Sequence, residues 1–289
     1  MNPMTMTIFG TLRLASVTLA AATLVGGPWT AAALTPAGEL AAHRAVYELK
    51  LARTTGKGGA VAARGRILYD FSGNMCDGYK LEFRQVSELD NGEGKVTLSD
   101  LRSTTWEDGA AKAYQFTSQN HLNQQLIDSV NGRAERRQNT IAVTLSKPRD
   151  KTLDLEATIV FPTEHVRKIL EAARDNKSIL ELPVYDGSES GEKVYNTLTV
   201  IGREIGPERV PDDAARDQKA LAGMKRWPVT VSYFDKAEKE KNGEQLPVYA
   251  ISFELYENGI SRALMLDYNN FSIRGELTTL EIKDTKPCP

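Results

Sequence analysis

The residues of this chain best suited to covalent chemistry are its two cysteines. Cys76 lies in "GNMCDGYKLEFRQ", at a turn before an alternating segment, and Cys288 lies in "DTKPCP" near the end of the chain. They are too far apart in sequence for the C-x-x-C arrangement of dithiol redox sites. In an oxidising compartment two such cysteines usually pair, and closing so long a loop would contribute roughly 5 kcal/mol in the chain-entropy model. Two independent thiols, or bonds to other chains, are the alternatives.

The compartment is predicted by residues 1–33. The stretch "TLRLASVTLAAATLVGGPWTAAA" has one basic residue, Arg13, then an apolar segment and a small-x-small sequence that ends at Ala33. This is the pattern of a secretory signal peptide cleaved near Ala33/Leu34, so we expect an exported chain. The apolar segment is shorter than the ~20 residues that span a bilayer, although an uncleaved anchor is the alternative. No transmembrane segment is expected after cleavage.

The three histidines give no pattern of a metal or catalytic site. His43, His121 and His165 are far apart in sequence, and none has a second ligand at metal-binding spacing. We therefore predict no metal, cofactor or catalytic residues, and interpret His121 as a strand-surface side chain and His165 as packed on a sheet or near the surface.

The segment "DGSESG" (186–191) superficially resembles a nucleophile elbow. It fails the G-x-S-x-G pattern because Glu189 occupies the serine position. We interpret it as a hairpin loop, and its acids lack the spacing of a calcium-binding loop, which leaves a bound cation as a weak alternative.

Composition narrows the function classes further. The formal net charge of −2 argues against a nucleic-acid partner, which would require a basic stripe. Residues 34–289 show no repeat and no linker, and they are predicted to form a single domain.

Alternation of apolar and polar residues dominates this region. Tyr47, Leu49 and Leu51 alternate with charged residues, as expected for antiparallel strands with one buried face. Seven Asn-Gly or Asp-Gly dipeptides, Asn131-Gly132 among them, are typical of tight turns. The pattern predicts about 12–14 strands. They lie near 43–53, 60–71, 78–89, 95–106, 111–119, 124–130, 139–146, 152–161, 179–185, 193–204, 228–235, 247–257, 261–268 and 271–283. So long a meander should curl or close.

Three local features interrupt the alternation. "FPTEHVRKILEAARDNK" predicts one amphipathic helix over 163–175, capped by Thr163, which could cover one mouth of the curled sheet. "DDAARDQKALAG" predicts a second, weaker and exposed helix with Asp212 as its cap and Gly223 as its stop. The apolar phase changes near Thr278, which predicts a β-bulge.

The scattered aromatic residues are mostly interpreted as core or cross-strand pairs. The functional alternative is that some of them line a concave, apolar ligand site, because wide barrels leave interior room.

Most of residues 43–283 resemble the EipB-like cell-envelope integrity proteins, a domain-of-unknown-function family of alphaproteobacteria. The resemblance rests on the following stretches: "HRAVYELKL", "GRILYDFSGNMCDGYKLEFRQVSEL", "FPTEHVRKIL", "LPVYDGSESGEKVYNTLTVIG", "RWPVTVSYFD" and "YAISFELYENGISRALMLDYNNFSIRGELTTLEI". It implies a periplasmic protein with a spiral-like, open β-barrel closed by a helix, and a disulfide between Cys76 and Cys288.

The same resemblance implies a role in envelope homeostasis and stress resistance without an established enzymatic activity. It makes a tetratricopeptide-repeat protein of the periplasm an expected partner. We therefore expect a non-enzymatic, disulfide-stapled scaffold that acts through protein interactions. A carrier of a lipid or other apolar envelope component is the first alternative, and a cell-wall or polysaccharide hydrolase is the second.

Overall fold

The computed structural model of the protein describes residues 39–55, 60–94, 96–237, 245–286 and 288. The predicted signal peptide (1–33) and the Asn242-Gly243 turn lie outside the described residues. The secondary-structure elements are β1 (His43–Thr54), β2 (Ala62–Asn74), β3 (Gly78–Asp90), β4 (Val96–Glu107), β5 (Ala113–Leu122), β6 (Gln125–Arg136), β7 (Thr140–Lys147), β8 (Lys151–Glu156), α1 (Pro162–Arg174), β9 (Ile179–Val184), β10 (Tyr195–Ile201), β11 (Arg226–Asp235), β12 (Tyr249–Tyr256), β13 (Ser261–Asp267) and β14 (Phe271–Ile282).

All fourteen strands belong to one antiparallel sheet. Its order is β8-β7-β6-β5-β4-β3-β2-β1-β14-β13-β12-β11-β10-β9, so the first and last strands pair at the centre of the sheet. Strands that follow one another in the chain are neighbours in the sheet, except β8 and β9, which lie at its two edges. Among the described strands, the one pairing between strands distant in the chain is that of β1 with β14. The predicted mainly β architecture, with an open curled sheet and one helix, is confirmed.

The two edge strands, β8 and β9, do not pair with each other in the described part of the chain. The segment between β8 and α1 bridges them instead. Val160 forms an isolated parallel bridge with Val184, in which its amide donates to the Pro183 carbonyl at 2.9 Å and its carbonyl accepts from the Tyr185 amide at 3.0 Å. The sheet is therefore curled into a barrel-like shape, and this short segment provides a backbone bridge between its edges.

Helix α1 begins one residue earlier than predicted, and the predicted cap is wrong. Phe161 is the N-cap and Pro162 the first helical residue, because proline fixes a helical φ where its missing N–H is not needed. Thr163 lies inside the first turn. Its amide and that of Glu164 donate to the buried carboxylate of Glu107 from β4, each at 2.7 Å. A strand therefore supplies the anionic cap that favours this helix end.

The helix packs across one end of the curled sheet. Its buried face contains Ile169, Leu170 and Ala173, at the spacing of an amphipathic stripe. Arg167 donates to the Gly109 carbonyl in the β4–β5 turn at 2.6 Å, and Arg174 donates to the Glu257 carbonyl after β12 at 2.8 Å. The helix thus ties together turns that belong to distant strands.

The predicted second helix is not formed. Two short 3₁₀ turns, Ala214–Asp217 and Lys219–Leu221, take its place, and Asp213 rather than Asp212 caps the first of them. Ala215 and Leu221 are buried in the hydrophobic core that surrounds Tyr256. The segment is therefore packed against the sheet instead of exposed.

A buried ion cluster holds this segment. The guanidinium of Arg262 on β13 pairs with Asp213 at 2.8 Å and also contacts Asp212 and Glu254, while Arg226 on β11 pairs with Glu254 at 2.6 Å. The side chains of Arg262 and Asp213 are only 7% and 6% exposed.

The sheet is irregular within β14 and within β6. The strand β14 skips one residue against β1, with Val46 opposite Thr279 and Tyr47 opposite Leu277, so the predicted bulge at Thr278 is present. Asn131-Gly132, predicted as a turn, lies inside β6 at a register shift. Gly132 is required there by packing, because a Cβ would lie 2.7 Å from the Phe116 ring.

Candidate functional site

The inner face of the curled sheet encloses a cavity of about 550 Å³. Leu101 of β4 and Tyr195 of β10 both line it, although many strands separate them in the sheet order. Only a sheet curled on itself brings these strands to one space. The lining is mostly aliphatic and aromatic, with Ile67, Leu264 and Leu266 among its members. The inner face therefore encloses a space of the size that small molecules occupy.

A second chamber of about 250 Å³ lies beside α1. Its walls include Val166 and Ile169 of the helix, and Val231 of β11. Tyr69 and Asp186 line both chambers, as does Phe253. The two spaces are thus neighbours that share a wall, and a carboxylate lies in that wall.

Several tyrosines line this interior. Tyr233 and Tyr249 lie directly opposite each other on β11 and β12, and their rings stack with centroids 4.5 Å apart. Tyr195 of β10 meets both rings edge-on. Cross-strand pairing therefore builds a cluster of three rings. Burial raises the pKa of each of these hydroxyls, and it raises the pKa of Tyr47 to about 12.

The loop that joins β9 to β10 brings Asp186 to the interior. The Asp186 carbonyl accepts from the Tyr114 hydroxyl at 2.9 Å, and one carboxylate oxygen accepts from the Ser188 amide at 2.9 Å. Gly187 has φ of +67° and lies so close to Phe116 that a Cβ would be 2.4 Å from its ring. Tyr185 donates to the Gly191 carbonyl at 2.6 Å. The loop is thus held folded against the inside of the sheet.

The charged side chains that line the two chambers are acidic. Asp186 and Glu189 line the larger chamber, whereas no lysine or arginine is among the described residues that line either space. Burial raises the pKa of Asp186. Glu189 is engaged at the margin, where it accepts from the Tyr195 hydroxyl at 2.6 Å and pairs with Lys193 at 2.7 Å.

The predicted disulfide pair lies outside this interior. Cys76 and Cys288 are joined by a disulfide in the structure, with Cα atoms 5.7 Å apart. Asn74 organises the turn around it, because its side-chain oxygen accepts from the amides of Cys76 and Asp77 and its amide donates to the Lys286 carbonyl at 3.1 Å. The bond therefore fixes the C-terminal segment to the β2–β3 turn.

The histidines are placed differently from one another. His43 and His165 are buried beside the smaller chamber, whereas His121 is partly buried on β5. The Nδ1 of His43 lies 2.7 Å from the Ala41 carbonyl, and the Nε2 of His165 lies 3.4 Å from the Thr197 hydroxyl. Burial lowers the pKa of His43, and it lowers that of His165 to about 4. Neither imidazole therefore adds positive charge to the chamber near neutral pH.

Metal-binding geometry does not occur in the described residues, where no group of three or more histidine, cysteine or acidic side chains could hold an ion. Among these residues no helix is long and apolar enough to cross a membrane.

Sequence reasoning missed Asp186 as a site residue. The dipeptide Asp186-Gly187 has the composition of an ordinary turn, and no pattern in its neighbours indicates that the loop folds inward. The aromatic signal was more informative, since Tyr249 and Phe253 lie two residues from Ile251 on one face of β12 and all three line the larger chamber.

The curled fourteen-stranded sheet, with helix α1 and internal chambers, defines a β-barrel-like protein. The chain belongs to the EipB-like family, whose sequence profile matches residues 34–284. It is similar to the cell envelope integrity protein EipB of Brucella abortus (strain 2308), with 36% identity over 255 residues, which cover 88% of this chain and 89% of the relative. A crystal structure of a β-barrel-like protein of unknown function from Brucella abortus superimposes with a TM-score of 0.77 at 36% identity, covering 85% of this chain and 99% of that one.

Proposed function

We propose that this protein supports cell-envelope integrity from the periplasm by binding an apolar or amphipathic small molecule inside the curled sheet. The envelope role is supported by the name of the Brucella relative. The binding role rests on one observation, the interior chamber of about 550 Å³. Protein interiors are normally packed with few voids larger than a water molecule, so a space of this size calls for an occupant.

The character of the lining supports a ligand with an apolar body. Ile67 and Leu264 come from strands on either side of β1 and β14, and Phe83 and Phe253 add aromatic surface. Such walls are typical of small-molecule sites, in which a few polar groups set the orientation. The disulfide between Cys76 and Cys288 contributes stability to the scaffold and takes no part in binding.

A tryptophan placed in the chamber should block binding without unfolding the protein. Leu101 lines the chamber and is only partly buried, so Leu101→Trp can occupy the open space. We expect this variant to lose binding of decyl maltoside by at least about tenfold, as the apolar volume available to the alkyl chain shrinks. It should also fail to restore resistance to envelope stress in a deletion strain.

The matched control is Leu98→Trp, which puts the same ring on the opposite face of β4. This control should bind and complement as the unchanged protein does. The proposal would be contradicted if the Leu101→Trp variant unfolds cooperatively at the same temperature as the unchanged protein and still binds decyl maltoside and restores stress resistance.

Catalysis is not part of the proposed role. The acids lining the larger chamber, Asp186 and Glu189, come from one loop, and Glu189 is already bound to Lys193 and Tyr195. This arrangement does not present two free carboxylates on opposite sides of a bond, as glycoside hydrolysis requires.

A second candidate is interaction with a protein of the tetratricopeptide-repeat kind, whose stacked helices form concave surfaces suited to projecting apolar side chains. The observation in its favour is the β5–β6 hairpin tip. Leu126 and Ile127 are 54% and 56% exposed there, beside the partly exposed Leu122. Exposed apolar groups clustered at one tip are typical of interaction sites.

This candidate makes a separable prediction. Replacing Leu126 and Ile127 together with serine should leave thermal unfolding and decyl maltoside binding unchanged, while resistance to envelope stress is lost. Val200→Ser, at an exposed apolar position on β10, is the control and should have no effect. Full resistance in the double variant would exclude the hairpin tip as the functional surface.

A further inference from the structure

We propose that the molecule bound in the interior carries a cationic ammonium head, which is received by the carboxylate of Asp186 and the tyrosine rings around it. This inference rests on the proposed binding function and specifies the ligand class. It follows from the placement of one carboxylate, the charges around it and the rings that face it.

The Asp186 carboxylate is positioned for a ligand that enters either chamber. It lies in the wall shared by both spaces, with Tyr69 and Phe253 as the other shared residues. The loop uses part of its hydrogen-bonding capacity, because the amide and hydroxyl of Ser188 and the amide of Asp186 itself donate to the carboxylate. A carboxylate can accept about four hydrogen bonds, so capacity remains for a ligand.

No protein cation neutralises this carboxylate in the described part of the chain. The lining of both chambers contains neither lysine nor arginine, and the two buried histidines beside the smaller chamber have lowered pKa values. A buried carboxylate without an opposite charge carries a desolvation cost that a cationic ligand would offset.

The surrounding rings add a second attraction for a cation. Tyr195 and Tyr249 line the larger chamber together with Asp186, and Tyr233 lines the smaller chamber with it. The carboxylate of Asp186 also contributes to the raised pKa of these three hydroxyls. The faces of aromatic rings carry negative potential, and rings grouped around a quaternary ammonium form the aromatic cage used to bind such ions.

An anionic head is disfavoured by the same arrangement. A carboxylate, sulfate or phosphate group would bring a further negative charge beside the carboxylates of Asp186 and Glu189 in a mainly apolar space. The apolar body of the ligand has its own place, because Ile67, Leu264 and Leu266 line the part of the larger chamber supplied by β2 and β13. An amphipathic amine thus matches both halves of the chamber.

The test compares three amphiphiles that share a decyl chain and differ in head charge: decyltrimethylammonium, decyl maltoside and decyl sulfate, each below its critical micelle concentration. Isothermal titration with the full protein should give the tightest binding for the ammonium and the weakest for the sulfate. Asp186→Asn should reduce ammonium binding by at least about tenfold and leave maltoside binding within about twofold, because a charge-assisted contact is lost and the shape is kept.

Two further variants make the result specific. Glu82→Gln removes an exposed acid on the outer part of β3 and should change none of the three affinities. Tyr249→Leu should weaken the preference for ammonium over maltoside, because it removes an aromatic ring that lines the larger chamber.

The outcomes separate this inference from the proposed function. The inference of a cationic head would be overturned if decyl maltoside binds as tightly as decyltrimethylammonium, or if the Asp186→Asn variant keeps its preference for the ammonium. In either case the interior would remain a binding site. Failure of all three amphiphiles to bind would overturn both.

Discussion

Arg262→Met should destabilise the protein by about 3–5 kcal/mol, because it leaves the buried carboxylate of Asp213 without its cation. The side chain of Asp213 is as buried as that of Arg262, whereas Asp212 is exposed and Glu254 keeps its pair with Arg226. Methionine fills much of the volume of the arginine stem, so the loss is electrostatic rather than a cavity. Urea unfolding followed by far-UV circular dichroism measures the change in the free energy of unfolding.

Arg102→Met is the matched control for this experiment. Arg102 also pairs with an aspartate, Asp100, but its side chain is 53% exposed and Arg84 contacts the same carboxylate. Exposed ion pairs contribute ~0–1 kcal/mol, so the control should change stability by less than that. Equal, small effects of both substitutions would show that the 206–225 segment is not held by the Arg262 cluster.

Removal of the disulfide should produce the other large change. The bond joins residues that are 212 positions apart, and the chain-entropy model assigns roughly 5 kcal/mol to a loop of that length. For a domain of this size, that corresponds to a decrease in Tm on the order of 10 °C. The Cys76→Ser, Cys288→Ser double variant avoids a free thiol and is compared with the unchanged protein by differential scanning calorimetry under oxidising conditions.

The reduced, unchanged protein serves as the control for this variant and should melt at the same lowered temperature. The folded structure near the C-terminus should change little. Lys283 still pairs with Asp70 through its side chain, and the backbone amide of Lys283 still donates to the Ala42 carbonyl. If the double variant has the same Tm as the oxidised, unchanged protein, the disulfide is excluded as a source of stability.

Strand content was predictable because side chains in a strand alternate between two faces. Tyr47 and Leu49 on β1 are buried and Lys50 is exposed, as their alternation predicts. The helix was predictable for a similar reason, although its cap was not. Glu107 comes from a strand more than fifty residues earlier, and no local pattern reveals a cap supplied through tertiary structure.

Features that depend on distant residues or on filled volume could not be predicted. The Arg262 cluster joins acids and bases from separate elements, and the positive φ of Ala263 accompanies a register shift beside it that alternation alone does not indicate. Likewise, alternation shows which face of β4 and β12 points inward. It does not show whether the inward side chains fill the space, and so the chambers and the carboxylate of Asp186 emerge only from the structure.

The central claim, that the curled sheet holds a small molecule, is tested most directly by non-denaturing mass spectrometry. The protein is purified from its native bacterium without detergent, and its mass is compared before and after denaturation. We predict an excess mass in the native protein that disappears on denaturation, is absent from Leu101→Trp and can be replaced by decyltrimethylammonium. Native protein with the bare polypeptide mass, which also takes up no added amphiphile, would contradict the claim.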